Sequence, residues 1–179
     1  MTAQEILLAQ QHGQDALGPL RTALAGDLID GVALEFGVAS GTTARIIAAR
    51  LPLIGFDSFA GLPEFWRPGF NVGMFAGPVP DLPGVELIVG RFEDTLPAFM
   101  VPPLALVHID CDLYSSTVTV LDHIGPHLRP GCVVVFDEFH GYDGAELHEA
   151  RAWGEFVDRT GIEWETIATG PEQLALRIR

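Results

Sequence analysis

The apolar residues of the chain fall into short continuous runs, and most runs end at a glycine or an acidic residue. Continuous apolar runs of roughly four to eight residues are typical of strands that are covered on both faces of a sheet. Glycine, proline and polar residues separate the runs and limit each strand to a few residues. The pattern predicts strands at 32–36, 53–56, 85–89, 104–109 and 132–136, then a closing pair of strands at 164–168 and 173–178.

Segments with helical periodicity lie between these runs. We predict helices at 42–50, 115–128 and 145–160, and a short crossing element at 96–103. Serine and threonine residues precede the first two helices and can accept hydrogen bonds from free backbone amides at a helix start. The predicted caps are Ser40, Thr42 or Thr43 for the first helix and Ser115 or Ser116 for the second.

Strands that alternate with helices predict an α/β fold. We expect a doubly wound, mostly parallel seven-stranded Rossmann-like sheet with a C-terminal antiparallel hairpin. The length of 179 residues suits one domain with one sizeable core, so we predict a single domain over residues 1–179. Residues 1–26 are predicted to form an N-terminal helical cover over a sheet edge or the mouth of a site.

Residues 60–84 form a long connection that is rich in glycine and proline yet carries several aromatic side chains. Long connections without secondary structure are commonly functional in compact domains. We expect a lid-like insertion in which Phe65 and Trp66 close over a bound ligand. The alternative is a surface excursion that packs on its own small core.

The composition narrows the class of partner. Hydrophobic residues make up 48% of the chain and charged residues 19%, and the net charge is -14. Nucleic acids and anionic membranes require clustered basic residues, so neither is an expected partner. The N-terminus has no basic start and only a short apolar run, which predicts a cytoplasmic protein. Cys111 and Cys132 show no metal-binding spacing and are expected to be buried, reduced thiols.

Acidic residues follow four of the predicted strands. The carboxyl ends of parallel strands meet at one edge of a sheet, and ligands bind at that edge. We therefore expect these acids to lie around one site. They are Asp57 after the second strand, Glu93 or Asp94 after the third, Asp110 and Asp112 after the fourth, and Asp137 and Glu138 after the fifth.

Asp57 and the turn before it indicate a ribose-containing ligand. Asp57 lies sixteen positions after Gly41, a spacing at which nucleotide-binding folds place a carboxylate that accepts hydrogen bonds from ribose hydroxyls. The turn lacks the GxGxxG spacing and the lysine that pyrophosphate and phosphate sites use. S-adenosylmethionine (SAM), which has a ribose and no phosphate, fits this pattern. Glu35 would suit its cationic methionine end, or would equally serve as a buried partner for a backbone amide.

Asp110 and Asp137 are expected at the ends of adjacent strands. Carboxylates that lie so close to each other either bind a hard cation or raise one another's pKa until one acts as a base. A divalent ion at Asp110, Asp137 and Glu138 would lower the pKa of a bound substrate hydroxyl. Mutual solvation of the acids is the structural alternative. His140 is the second candidate base, because its charge changes near neutral pH.

Several segments together resemble class I SAM-dependent methyltransferases of the macrocin O-methyltransferase type, which are related to the aminocoumarin sugar O-methyltransferases. The resemblance covers most of the chain from Val32 onward. It implies methyl transfer from SAM to a hydroxyl of a small secondary metabolite or its sugar, with magnesium, and it leaves open whether the chain forms a homo-oligomer. The segments are EFGVASGTTARIIA, GFDSFAGLPEFW, GRFEDTLP, HIDCDLYSSTVTVL and PGCVVVFDEFHGYDGAELHEARAWGEF.

The resemblance also implies roles for individual residues. The methionine part of SAM would lie at Glu35, Gly37 and Gly41, and Ser40 in the same turn is predicted to join the cofactor site. The ribose acid would be Asp57 with Ser58 and Phe59 beside it, and the adenine segment would contain Gly90 and Phe92. Asp110, Asp137 and Glu138 would bind the metal, and Asp110 would also border the cofactor and act as the general base.

The chain departs from the family pattern after the fifth strand. Two consecutive aspartates are expected there, and the chain has Asp137 followed by Glu138. The leading prediction is an O-methyltransferase. A non-catalytic SAM-binding or regulatory protein is the alternative, and a nicotinamide-dependent oxidoreductase is disfavoured by the missing GxGxxG spacing.

Overall fold

The computed structural model describes residues 16–179, so most of the predicted N-terminal cover lies outside the described residues. The elements alternate as the apolar runs predict, and the first strand has the predicted bounds. In chain order they are α1 (Gly18–Ala25), β1 (Val32–Phe36), α2 (Thr42–Ala48), β2 (Leu53–Asp57), β3 (Val85–Val89), α3 (Phe92–Thr95), β4 (Leu104–Ile109), α4 (Tyr114–Ile124), β5 (Val133–Phe136), α5 (Glu149–Thr160), β6 (Trp164–Thr169) and β7 (Leu174–Ile178).

The strands form one seven-stranded sheet in the order β3-β2-β1-β4-β5-β7-β6. The five strands from β3 to β5 are parallel, while β7 pairs antiparallel with both β5 and β6. This arrangement confirms the predicted doubly wound sheet with a C-terminal hairpin. The strand order reverses between β1 and β4, and the loops that leave these two strands diverge there and open a crevice.

Both faces of the central parallel strands β1, β4 and β5 are covered, which explains their apolar runs. Leu34 and Phe36 of β1 face the core beneath α4 and α5, whereas Ala33 faces the core beneath α1 and α2. All six residues of β4 are buried. Because successive side chains of a strand point to opposite faces, a strand with both faces buried is apolar at nearly every position.

Helix α1 supplies the described part of the N-terminal cover. Leu20, Ala23 and Leu24 are buried in the core on one face of the sheet, next to Val133 and Val135 of β5. Ala16 and Leu17, just before the helix, lie at the cavity described below. Within residues 16–179, no helix has the length and the apolar character needed to cross a membrane.

The insertion (residues 60–84) packs on a small core of its own. Trp66 is 4% exposed, and the guanidinium of Arg67 lies 4.0 Å from its ring and 4.1 Å from that of Tyr142. Arg67 also forms an ion pair with Glu172 at 3.0 Å. Phe65, by contrast, is 56% exposed. Closure of Phe65 and Trp66 over a bound ligand stays a prediction. The buried residues of this small core are Leu62, Trp66, Phe70 and Leu113.

The predicted helix caps are wrong. Gly41, in a left-handed conformation, is the N-cap of α2, and Leu113 is the N-cap of α4; neither helix has a side-chain cap. The Ser40 and Thr42 hydroxyls bond each other, and Ser115 donates to Glu64. A second difference is the start of α5. The predicted helix at 145–160 is broken by a non-helical residue, so that a 3-10 turn at Ala145–Leu147 precedes α5.

Candidate active site

A cavity of about 690 Å³ lies at the carboxyl edge of the parallel strands. It extends from the end of β3 to the end of β5, across the point where the strand order reverses. Loops after each of the five parallel strands contribute to its wall. The residues that line it include Gly37, Val38, Ala39, Ser40, Asp57, Ser58, Leu62, Phe75, Gly90, Arg91, Phe92, Asp110, Asp112, Ser116, Asp137 and Glu138.

Gly37 brings the loop after β1 against the end of β4. Its φ is 93°, and a Cβ atom at this position would lie 1.8 Å from the carbonyl oxygen of Asp110. Both the backbone conformation and the close approach therefore require glycine. The consequence is that the turn following β1 and the acids following β4 share one wall of the cavity.

Asp57 fixes the loops after β1 and β2 to each other. Its Oδ2 accepts hydrogen bonds from the backbone amides of Val38 and Ala39, both at 2.8 Å. Its Oδ1 accepts one from the amide of Phe59 at 2.7 Å. Each carboxylate oxygen can accept two hydrogen bonds. Asp57 therefore shapes the cavity through three amides and retains limited capacity to accept a bond from a ligand.

Strained backbone conformations concentrate around the cavity. Among the described residues, the non-glycine residues with positive φ are Ala39 (45°), Phe59 (55°), Phe75 (68°) and Asp112 (66°). Three of them line the cavity, and Phe59 follows the lining residue Ser58. Such conformations cost about 1–3 kcal/mol each and persist where surrounding contacts enforce them, commonly at functional sites. Their position supports a functional role for the cavity.

Three carboxyl groups converge at the β4 and β5 end of the cavity. Oxygen atoms of Asp110, Asp112 and Glu138 all lie within 4.8 Å of one another. Burial, followed by the charge of Asp137, raises the pKa values of Asp110 and Glu138 well above their ordinary range and raises that of Asp112 to about 7. This end of the cavity therefore favours either bound protons or a cation.

The donor set fits a hard divalent cation. Oxygen ligands are the ones that Mg²⁺ prefers, and the Oε2 atom of Glu138 is buried with no hydrogen-bond partner in the protein. An unpaired buried carboxylate oxygen is costly unless an ion or a proton occupies it. Asp137 also lines the cavity beside this group. The three clustered carboxyls together with Asp137 include all of the predicted metal ligands, and they add Asp112.

Glu149 is a further acid that the sequence reasoning missed. It is the first residue of α5 and is fully buried, and its Oε2 accepts a hydrogen bond from the backbone amide of Glu138 at 3.1 Å. A signal for its burial was present in the sequence. Ala152, Trp153 and Phe156 follow at helical spacings of three, four and seven residues, which places Glu149 on the apolar stripe of the helix.

Four residues predicted for the site do not line the cavity. Glu35 is fully buried and its Oε1 lies 3.1 Å from Nδ1 of His108, which is equally buried. The Oε2 atom of Glu35 is buried with no hydrogen-bond partner among the described residues, so its contact with a ligand stays a prediction. The backbone amide of His140 donates to the carbonyl oxygen of Glu172, and its role as a base also stays a prediction. Gly41 and Phe59 are buried next to lining residues and support them from behind.

The other predicted residues come together as expected. Asp110 and Asp137 lie at the ends of adjacent parallel strands, as predicted. The lining residues among the predicted set are Gly37, Ser40, Asp57, Ser58, Gly90, Phe92, Asp110, Asp137 and Glu138.

The comparisons with known proteins agree with this geometry. A family model described as a methyltransferase domain matches residues 34–139, which include most of β1, all of β2 to β5 and every predicted site residue except His140. A Streptomyces olivaceus protein, 8-demethyl-8-(2,3-dimethoxy-alpha-L-rhamnosyl)-tetracenomycin-C 4'-O-methyltransferase, is 28% identical over 87% of this chain and 73% of its own length. Mycinamicin III 3''-O-methyltransferase from Micromonospora griseorubida is 30% identical over 47% of this chain and 36% of its own length.

A solved structure, that of the calicheamicin methyltransferase CalS11, superposes with a TM-score of 0.70 at 22% identity. The superposition covers 98% of this chain and 80% of CalS11. At this level of identity the likeness concerns the fold.

Proposed function

Because the chain belongs to the methyltransferase domain family, we propose that it transfers a methyl group from SAM to a hydroxyl of a small secondary metabolite or its sugar. In this reaction the methyl group leaves the sulfonium sulfur for the acceptor oxygen, and the hydroxyl proton passes to a base on the protein. The observation that carries the proposal is the single cavity wall in which a glycine turn and Asp57 adjoin a cluster of buried carboxyls.

The donor is assigned to the end of the cavity formed by the loops after β1, β2 and β3. Gly37 and Ser40 would border the methionine part, Asp57 and Ser58 the ribose, and Gly90 and Phe92 the adenine. The backbone amides at Val38 and Ala39 are already held by Asp57, so this part of the wall is preorganised before a ligand binds.

The acceptor is assigned to the opposite end, beside the clustered carboxyls. Leu62, Phe75 and Ser116 line the cavity there together with the acids, which offers apolar contact and a hydroxyl to a neutral, hydroxylated molecule. SAM is intrinsically reactive, so the protein mainly has to align the acceptor oxygen with the methyl group and exclude water. The insertion contributes Phe75 to this exclusion.

Asp110, Asp137 and Glu138 are the residues that would hold Mg²⁺. A bound divalent cation would lower the pKa of an acceptor hydroxyl. Glu138 replaces the aspartate expected by resemblance, and its buried, unpartnered Oε2 supports a role as a ligand.

Asp112 is proposed as the residue that accepts the hydroxyl proton, in place of the earlier assignment to Asp110. Asp112 lines the cavity with φ 66°, and an oxygen of its carboxyl lies within 4.8 Å of oxygens of Asp110 and Glu138. Burial and the charge of Asp137 raise its pKa to about 7, and a base works best when its pKa is near the working pH. Asp110 is then left as a metal ligand that also borders the donor.

The test is to incubate the protein with SAM, Mg²⁺ and a panel of glycosides and phenols, and to detect methylated product by mass. Binding of SAM and its demethylated product is measured in parallel by calorimetry. A product that gains one methyl group supports the proposal. Tight SAM binding without product from any acceptor would favour the non-catalytic SAM-binding alternative, and binding of NAD instead of SAM would overturn the donor assignment.

A further inference from the structure

Glu149 lies behind the cluster of acids and has no place in the reaction proposed above. Its side chain is fully buried, and it does not line the cavity. Its Oε2 accepts a hydrogen bond from the backbone amide of Glu138 at 3.1 Å, while its Oε1 is buried with no hydrogen-bond partner among the described residues. Glu149 therefore ties the start of α5 to the loop after β5, at the residue that carries one of the clustered carboxyls.

The burial of this carboxylate lowers the stability of the fold, so its retention in the interior calls for a specific role. Removing a carboxylate from water costs several kcal/mol, on the order of what a single strong contact can offset. Here the neighbouring charges make the cost larger, because Asp112 and Asp137 are also acidic and close. A glutamate at a helix start is favourable even when it is exposed to solvent, so the helix alone does not explain its inward orientation.

The contact of Glu149 suits the control of the position of the loop after β5, because the amide of Glu138 belongs to a proposed metal ligand. If this contact is lost, the loop after β5 is no longer held to the start of α5 at this point. The oxygen atoms of Asp110, Asp112 and Glu138, now within 4.8 Å of one another, would then be free to separate under their mutual repulsion.

We propose that Glu149 is a positioning residue that holds the loop after β5 in place, so that the carboxyl of Glu138 converges with that of Asp110 on a divalent cation. The inference rests on the metal site in the proposed function. Residues that orient metal ligands without touching the metal typically change metal affinity by about 10–100-fold when they are substituted.

The test compares Glu149→Gln and Glu149→Ala with Glu146→Gln, a control that removes an exposed acid three residues earlier. Mn²⁺ affinity is measured by electron paramagnetic resonance, SAM affinity by calorimetry and folding by thermal unfolding. We expect Mn²⁺ affinity to fall about tenfold in Glu149→Gln, which keeps one acceptor oxygen, and further in Glu149→Ala. SAM affinity should change less than threefold in both variants, and the control should match the wild type.

Unchanged Mn²⁺ affinity in folded Glu149→Gln would overturn the inference, and so would a parallel loss of SAM and Mn²⁺ affinity, which would indicate a general structural role. If Glu149→Ala does not fold, Glu149→Gln alone decides, because it has nearly the same shape. The outcome is separable from that of the proposed function. A wild-type protein that methylates its acceptor without binding Mn²⁺ or Mg²⁺ overturns this inference and leaves methyl transfer standing. Weaker Mn²⁺ binding in Glu149→Gln supports the inference even if no acceptor is methylated.

Discussion

The two ends of the cavity are built on different physical principles. At the end formed by the loops after β1 to β3, the wall consists of glycine turns and backbone amides, and the single carboxylate of Asp57 has three hydrogen-bond donors. At the end formed by β4, β5 and α5, the carboxyls of Asp110, Asp112 and Glu138 converge. At the first end, backbone amides of the protein satisfy the carboxylate of Asp57. At the second end, the clustered carboxyls are satisfied only when protons or a cation are present.

This difference predicts that the two ends respond to different changes. The first end depends on shape and on hydrogen bonds that form during folding, so it should be insensitive to metal and to pH near neutrality. The second end depends on the balance between burial and like-charge repulsion. It should therefore respond strongly to metal, to pH and to removal of a single charge. Substitutions and conditions that act on one end alone should therefore change one ligand affinity and leave the other nearly unchanged.

The largest effect is expected from Asp110→Asn and Asp112→Asn compared side by side. Asp110→Asn removes a proposed metal ligand, so turnover should fall about 10³-fold and Mn²⁺ affinity should fall with it. Asp112→Asn removes the proposed base, so turnover should fall about 10²–10³-fold, while Mn²⁺ affinity should fall less than in Asp110→Asn because only a neighbouring charge is lost. Turnover is measured by mass spectrometry and Mn²⁺ affinity by paramagnetic resonance. Full activity in Asp112→Asn would return the base to Asp110.

The next effect concerns the other end of the cavity. Asp57→Asn replaces one acceptor oxygen by an amide group that cannot accept the bonds it now receives from the loop backbone. We expect SAM affinity to fall about tenfold and unfolding to occur several degrees lower, since each lost buried hydrogen bond costs about 1–3 kcal/mol. Mn²⁺ affinity should stay within about threefold of wild type. Equal losses of SAM and Mn²⁺ affinity would show that the two ends are not independent.

A third prediction uses pH and metal instead of a substitution. Burial raises the pKa values of Asp110, Glu138 and Glu149 well above their ordinary range, and that of Asp112 to about 7. Between the ordinary and the raised values the folded protein binds more protons than the unfolded chain, so stability is present at low pH and declines as pH rises. The metal-free protein should therefore unfold at a lower temperature at pH 8 than at pH 5.5, by about 5 °C or more.

Addition of Mg²⁺ at pH 8 should restore most of that loss, because a cation stabilises the ionised carboxyls in place of protons. Asp112→Asn is the matched variant, since it removes one titrating group and should make the unfolding temperature depend less on pH. Differential scanning calorimetry measures the unfolding temperature of both proteins, with and without Mg²⁺. A metal-free unfolding temperature that rises from pH 5.5 to pH 8 would contradict the assignment of raised pKa values to this cluster.

The fold could be predicted from the sequence because its signals are local. Strand β4 is apolar apart from His108 because both of its faces are buried, and strand-end acids meet because parallel strands share one carboxyl edge. These rules placed Asp110 next to Asp137 without knowledge of any contact. They were sufficient for the sheet and for most of the cavity lining.

Contacts between segments that are distant along the chain were the ones that could not be predicted. Glu35 is opposite His108 because β1 and β4 pair in that register, and the register of two strands separated by some 70 residues is not a local property of either. Trp66 is covered by Arg67, but the orientation of Arg67 depends on Glu172, more than one hundred residues away. The burial of Glu149 could have been predicted from its place on the apolar stripe of α5, whereas its contact with the backbone amide of Glu138 depends on how the loop after β5 folds back.

The smallest effect is expected in the insertion, where Phe75→Ala and Phe65→Ala form a matched pair. Phe75 lines the cavity with φ 68°, whereas Phe65 is 56% exposed and does not line it. Removal of the Phe75 ring should raise the KM for the acceptor about three- to tenfold, since a lost apolar contact is worth about 1 kcal/mol, and should leave SAM affinity nearly unchanged. Phe65→Ala should stay within twofold of wild type in both. The KM for the acceptor found in the panel is measured for both variants by steady-state kinetics. A larger loss from Phe65→Ala than from Phe75→Ala would mean that the insertion closes in another conformation during turnover, with Phe65 turned inward.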